Sequence, residues 1–372
     1  MSKLDDLINE LCPNGVEYKT LGEICDILRG RRLTTRDLIE DGEYPVFHGG
    51  IEPIGYYNQK NRDGYSTMVI NVGASAGTIG FCDKDFWSSD GCFCFSHTET
   101  LNQKFLFYVL QSNEHYLKSK VRKAGIPTLD NKEIERFQIP VPPLSIQNEI
   151  IHILDNFTEL EEELEEELEA RRRQYEWAKQ KLLNIKKDNL VELQSVCRLE
   201  KGKTPIQKAI PGEYPLVVTT DKRSSCKDYQ FDCKAVCLSL VSARGHGIAQ
   251  ISRIFYQEGK FALGNILCAM IPNDENQLNA KFLQYYLFYM KDILLTPLMK
   301  GGANVALHIS DLQTVKIPLP PIQEQEKIVS FLNKFDELCN DETTGLPAEI
   351  EARKKQYEYY RDKLLSFKRI GE

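Results

Sequence analysis

The phrase EARRRQYEWAKQKLL begins at Glu169 and EARKKQYEYYRDKLL begins at Glu351, so a chain of 372 residues carries one helical text twice. The match continues upstream. IPVPPLSIQNEIIHILDNFTEL (139–160) answers IPLPPIQEQEKIVSFLNKFDEL (317–338), and LNQKFLFYVL (101–110) answers LNAKFLQYYL (278–287). GEYP recurs at Gly42 and Gly212, and CDILRGR (25–31) answers CRLEKGK (197–203). The offsets drift between 170 and 182 while the landmarks keep one order, as they do when loops differ in length within a duplicated unit of about 180 residues. That unit is far too long for a solenoid repeat. The chain also exceeds the size at which one core keeps growing, so the duplication sets the domain count.

Each copy has two textures. The first is rich in Gly, in short β-branched and aromatic runs and in turn signals such as HGG and DG, and reads as short strands with a few helices such as KFLFYVLQS and KFLQYYLFYM. The second opens on Pro142 and Pro143 and then places Ile150, Ile153, Leu154, Phe157, Leu160, Leu164 and Leu168 mostly three and four apart. The other copy gives Ile328, Phe331, Leu332, Phe335 and Leu338 in the same rhythm. A lone amphipathic helix on a globule has this spacing too, but it does not account for two matched helices at equivalent places; a paired seam does. The expected fold is therefore α+β: two globular domains in tandem duplication, at 1–140 and 188–317, separated by two long helices, at 141–187 and 318–372, that form an antiparallel coiled coil. The second helical segment is longer by four positions within CNDETTGLPAEI, where Gly345 and Pro347 predict a local break. The acidic run EEELEEELE reads as a solvated face held by Arg171, Arg172 and Arg173 and by basic residues of the partner helix.

Several classes of function fall away. MSKLDDLINELCPNG has no cationic region ahead of an apolar run, and no segment approaches ~18 uninterrupted apolar residues, so neither secretion nor membrane spanning is expected. Eleven cysteines, most of them among apolar or aromatic neighbours (Cys92, Cys94, Cys237, Cys268), read as buried free thiols of a reducing cytoplasm. The CFC run and the Cys233, Cys237 pair lack the two-residue spacing of a zinc knuckle, so no metal is expected. No NPPY-type or DPPY-type methyltransferase motif, Walker A loop or His-Glu metal motif is present, and EYK at 17–19 lacks the acidic strand residue of a nuclease site. His48, His97, His246 and His308 are scattered. The chain is expected to be a non-enzyme without cofactors.

The duplicated PVPPLSIQNEIIHIL and PLPPIQEQEKIVSFL segments, the duplicated EAR..QYE....KLL helices, GEYPVFHGGIEPIGYYNQ and SARGHGI together resemble one family over essentially the whole chain. It is the family of specificity subunits of type I restriction-modification systems. The resemblance implies two target-recognition domains, each reading one half of an interrupted duplex DNA sequence. The helices would act as a spacer and as docks for two methyltransferase (M) subunits, with restriction/translocase (R) subunits joining for cleavage. The specificity subunit itself would be non-catalytic.

A formal charge of −7 is unusual for a DNA reader. Counted by segment, 15–140 carries −2, the first helix (141–187) −4, 188–317 +3 and the second helix (318–372) −2. Basic residues nevertheless cluster beside Gly in both copies, where backbone and side chain can both approach phosphate. The candidates are Arg29, Arg31, Arg32, Lys120 and Arg122 in the first domain and Lys201, Lys203 and Lys300 in the second. Polar tips of Gly loops are candidates for base reading: His48, Tyr57, Asn58, Ser75 and Thr78, then Thr219, Thr220, Arg223, Arg244, His246 and Asn304. Arg pairs with guanine bidentately and Asn with adenine. Any one of these residues is equally at home on an ordinary solvated surface; their recurrence in both copies is what singles them out. SARGHG is replaced by NVGASAG in the first copy, without Arg, so the two domains are expected to read different half-sites. The competing readings are a protein-binding structural adaptor with two heads, and the specificity subunit of a related or orphan methylation system.

A rod of paired helices makes a ruler. Four residues inserted after Leu164 add ~6 Å and keep the stripe nearly in phase, so the DNA spacer should lengthen by about one or two base pairs of ~3.4 Å with both half-sites unchanged. Two inserted residues should instead rotate the seam and destabilise the pair. Sequencing of methylated bases reads the outcome, and an unchanged spacer or an altered half-site would overturn the ruler.

Overall fold

The structure is a computed structural model that describes residues 3–185, 189–244 and 247–371. Contacts divide it into a first unit, Met1–Glu165 with Glu349–Glu372, and a second, Glu166–Ala348. The helices that matter below are α1 (Lys3–Leu11), α2 (Gln103–Ser112), α3 (Leu144–Leu183), α4 (Ala280–Leu294), α5 (Ile322–Asn340) and α6 (Leu346–Leu364).

The duplicated sequence folds twice into one topology. In the first unit a four-stranded antiparallel sheet runs Ile27–Arg29, Cys92–Phe95, Ser66–Ile70, Ile79–Cys82. In the second the order is Cys197–Lys201, Leu267–Pro272, Ala235–Ser239, Ile254–Gln257. Beside each lies a second sheet with one parallel pairing, three-stranded in one copy (Val46 with Trp87) and four-stranded in the other (Leu216 with Ala262). A short ribbon closes each domain: Tyr18–Thr20 on Gln138–Pro140, and Leu190–Glu192 on Lys316–Pro318. The central strand Ser66–Ile70 is buried along its whole length, which its apolar and β-branched residues tolerate because α2 covers one face. The matched helices α2 and α4 begin alike. Asn102 accepts from the Lys104 amide at 2.8 Å, and Asn279 accepts from the amides of Lys281 and Phe282.

A buried glutamine ties each globular domain to its long helix. Gln147 is fully buried on the first turn of α3; its Oε1 accepts from the Asn102 amide at 2.8 Å, and its Nε2 donates to the carbonyls of Thr100 (2.8 Å) and Pro142 (2.7 Å). Gln325 on α5 repeats the pattern with the Asn279 amide (2.9 Å) and the carbonyls of Gln277 (2.8 Å) and Pro320 (2.7 Å). The Pro-Pro leader, the helix start and the cap of α2 or α4 are thus joined through one side chain.

Helix pairing is antiparallel within each unit. In the first, Phe157 of α3 stacks on Tyr360 of α6 at 5.5 Å, and Lys354 reaches Glu161 (3.4 Å) and Glu165 (2.8 Å). In the second, Tyr175 of α3 stacks on Phe335 of α5 at 6.0 Å. The acidic face is held both within its own helix, by Arg171 to Glu167 and Arg173 to Glu169, and by Lys354 of the partner helix, and such exposed pairs are worth ~0–1 kcal/mol each. The expected second helical segment consists of two helices, parted at 341–345. The Asp341 carboxylate accepts from the amides and hydroxyls of Thr343 and Thr344, which hold its pKa down at about 2. A Cβ on Gly345 would sit 2.5 Å from the Glu337 carbonyl, so glycine is required there.

The first unit is completed from the far end of the sequence. The Val16 amide donates to the Lys368 carbonyl (2.8 Å), the Tyr18 hydroxyl donates to the Phe367 carbonyl (3.0 Å), and the Arg369 guanidinium lies over the Tyr18 ring.

Replacing Gln325 with Leu leaves a part-buried amide and two part-buried carbonyls without their partner, together costing about 2–3 kcal/mol. Hydrogen exchange within the second unit should accelerate by roughly 100-fold at the strand and helix amides, while residues 18–140 keep their protection. Unchanged protection in α4 and α5 would show that the clamp contributes nothing.

Candidate nucleic-acid interface

Basic residues flank a glycine at the same point in each copy, and the glycine explains how they are held. Gly30 lies so close to the next strand that a Cβ would meet the Ser89 carbonyl at 1.9 Å; Gly202 stands equally close, 2.0 Å, to the Gly264 carbonyl. In the first unit the Arg31 amide donates to the Ser88 carbonyl (2.9 Å), and the Trp87 indole donates to the Arg31 carbonyl (2.8 Å). With the backbone pinned, Arg29, Arg31 and Arg32 send exposed side chains outward, and among the described residues none of the three forms an ion pair. In the second unit the Gln230 side chain does the pinning. It accepts from the Lys203 amide and donates to the Lys201 carbonyl, leaving both lysines exposed.

A second feature brings distant candidates together. The turn of Ser75 and Thr78, where the Thr78 amide donates to the Ser75 carbonyl (3.0 Å), is joined to the hairpin of Arg122. Val72 bridges Thr128, Arg122 bridges Thr128, and the Gly73 amide donates to the Pro127 carbonyl at 2.9 Å. The second unit uses the same bridges: Val241 to Ala306 and Lys300 to Ala306, with the Ser242 amide donating to the Val305 carbonyl. The loop of Arg244 therefore leans on the hairpin that carries Lys300 and Asn304, all three exposed. Lys300 is paired to Asp311 at 3.0 Å. His246 lies outside the described residues.

Other candidates are placed differently. His48 is exposed with its Nδ1 3.4 Å from Asp90, and the following Gly49 approaches the Val72 carbonyl, so it borders the Ser75 turn. The Tyr57 ring packs edge-on against Trp87 at 5.2 Å, while Asn58 is exposed. The Lys120 ammonium sits over the Tyr116 ring, 5.0 Å from its centroid. Thr219 and Thr220 line a cleft of about 350 Å³ with Ser239, Ser242, Gln250 and Arg253. Arg223 faces another cleft. Its guanidinium stacks on Phe255 (4.4 Å) and donates to Gln257 (3.1 Å), and burial pushes its pKa below the ordinary value. The structure thus commits Arg223 internally and places Arg253 in the polar cleft instead, exposed and paired with Asp221, whose carboxyl it holds below the usual range. Sequence reasoning missed Arg253 because SRIF carries neither a Gly neighbour nor a repeat in the other copy.

What the arrangement can do is bind and discriminate. Gly-pinned cations suit phosphates, and an exposed guanidinium and carboxamide on adjoining loops suit base edges. All eleven cysteines are free, most are buried, and burial pushes thiols such as Cys92 and Cys197 up to about 12. Among the described residues no group of three His, Cys, Asp or Glu is placed to hold a metal, and no helix is long and apolar enough to cross a membrane.

If Arg244 reads a guanine, Arg244→Ala should cost ~1–3 kcal/mol on the cognate site and relax one half-site only. Arg223→Ala should instead lower the stability of the second unit with the half-sites unchanged. Titrations against a panel of duplexes at several salt concentrations separate the cases. Uniform weakening by Arg244→Ala with a shallower salt slope would assign it to phosphate.

Residues 13–170 and 186–352 each match the family described as type I restriction modification DNA specificity domain. A putative type I restriction enzyme specificity subunit of Haemophilus influenzae is 31% identical over 382 residues, covering 95% of this chain and 96% of its own. The EcoR124I/EcoR124II specificity subunit of Escherichia coli is 35% identical over 271 residues, 66% of this chain and 63% of its own. Among solved structures, the type I restriction-modification S subunit from M. genitalium superposes with a TM-score of 0.61 at 18% identity, over 94% of this chain and 96% of its own, a likeness of fold.

Proposed function

The chain belongs to the type I restriction-modification DNA specificity family, and from that premise we propose that it reads an interrupted target in double-stranded DNA, one half-site per globular domain. The observation that carries the reading is the doubling itself. One topology occurs twice with Gly-pinned cations at equivalent points, while the loops expected to touch bases differ, NVGASAG against SARGHG. Two readers on one scaffold need shared framework and divergent tips.

In this reading 1–140 and 188–317 are the target-recognition domains, and 141–187 and 318–372 are the segments that set their spacing. The repeated helices dock two methyltransferase subunits, and restriction/translocase subunits join the assembly in the cytoplasm. The chain contributes recognition and no catalysis. Its acidic helices are consistent with a complex in which other subunits supply much of the phosphate contact. The triplets at Arg171 to Arg173 and Arg353 to Lys355 are the docking elements in this reading; Arg171, Arg173, Arg353 and Lys355 make only exposed pairs within their own helices, and Lys354 pairs across to α3.

Sequencing of methylated bases in the host, with and without this chain, tests the proposal. One interrupted motif should lose methylation when the chain is deleted and regain it on complementation. Exchange of residues 188–317 for those of a relative should change one half-site alone. Methylation indifferent to the chain would overturn the reading.

A further inference from the structure

The two units differ at one place where the repeat makes them comparable. In the first, α1 covers the start of α3 and the end of α6. Leu4, only 4% exposed, belongs to the cluster containing Ile146, Ile150 and Leu365, and Leu7 and Ile8 pack against that cluster together with Ile153, Leu364 and Phe367. Lys3 completes the seat with an ion pair to Glu149 at 2.5 Å.

The repeat maps Glu149, Ile150 and Ile153 onto Lys327, Ile328 and Phe331, and maps Tyr359, Leu364 and Phe367 onto Trp177, Leu182 and Ile185. These counterparts line a groove of about 670 Å³ between the end of α3 and the start of α5, with Ala178 and Lys181 beside them. Among the described residues no helix precedes the first strand of the second copy except α3 itself, so the groove has no α1. Its walls show the difference. Ile153 is half-buried, whereas its counterpart Phe331 is 45% exposed; Trp177 and its counterpart Tyr359 are exposed alike, at 60% and 62%. The charge at the position of Glu149 is also reversed, with Glu324 the one carboxylate among the described residues of the groove's lining. Where Glu149 meets Lys3 in the first unit, the second presents Lys327, which among the described residues has no ion-pair partner, with Lys181 lying over the Trp177 ring.

We propose that this groove of the second unit is a docking site for an amphipathic helix of a partner protein. That helix is seated as α1 is seated in the first unit, with apolar residues at i, i+3 and i+4 and an acidic residue where α1 has Lys3. Apolar anchors in a groove are a recurring mode of helix recognition, and Lys327 disfavours the one α1 contact that Glu149 favours, the Lys3 ammonium, so an acidic residue at that position is preferred. The inference rests on the groove's shape and charge and does not require the DNA-reading proposal, so the test below uses no DNA.

The test is a titration of the full chain into a fluorescent peptide of residues 1–14, either unaltered or carrying Lys3→Glu, followed by anisotropy. The Lys3→Glu peptide should bind saturably and about fivefold more tightly than the unaltered one. Lys327→Glu in the chain should reverse that preference, and Phe331→Asp should abolish binding of both. Each substitution is at an exposed position, and unchanged circular dichroism certifies the fold. Absence of saturable binding by either peptide to any variant, or binding indifferent to Phe331→Asp, would overturn the proposal. Concentration-dependent dimerisation of the chain that disappears both with Phe331→Asp and on removal of residues 1–12 would assign the groove to a second copy and overturn it too.

Discussion

The buried amides of Gln147 and Gln325 are the constraint on which the rest of each unit depends. A primary amide offers two donors and an acceptor of fixed geometry, and here, on a fully buried side chain, it meets two carbonyls and one amide that are buried or partly buried. Because those three groups belong to the Pro-Pro leader and to the cap of the domain's main helix, directional bonds add to the apolar packing of Ile146, Ile150 and Leu154, and of Ile328 and Leu332, in holding each long helix to its domain. Apolar contacts tolerate sliding; a fully satisfied buried amide does not.

Much of this was legible because duplication lets a sequence be compared with itself. The two sheets, the matched helices and the break near Gly345 follow from recurring landmarks and turn residues. The clamp was in plain view as the shared Ile-Gln at 146–147 and 324–325 only in part, since position 324 is Glu, and a Gln in a helix start ordinarily reads as solvent-facing. The structure shows otherwise because the Pro-Pro leader turns that face inward. The division of α3 between two units, at Glu165 and Glu166, was not legible at all, because heptad spacing records that a helix has a partner and not which partner each part has. In the candidate interface, composition and Gly neighbours point to the cations beside Gly30 and Gly202. The stacking of Arg223 on Phe255, 32 residues away in sequence, is not legible from local composition, and Arg253 has no Gly neighbour to draw attention to it.

The acidity of the chain also finds a physical place. Much of it sits on the exposed face of α3, spaced four residues from arginines of the same helix, where it is screened and contributes little energy. The pinned cations occur in the globular domains, on loops whose backbone is fixed by close glycine contacts. A net charge of −7 therefore describes the helices more than the surfaces proposed to meet DNA.

The return of residues 367–369 to Val16 and Tyr18 has a consequence for how the molecule is made. The second unit is one continuous stretch and can fold as soon as it has been synthesised. The first is interrupted, and α6, which covers Phe157, is translated roughly 200 residues after the part of α3 that it covers, a delay on the order of ten to forty seconds at ordinary elongation rates. During that interval Phe157 has no Tyr360 to stack on and Glu161 and Glu165 have no Lys354, so this stretch of α3 waits for its partner with its glutamates uncompensated and free to hydrate.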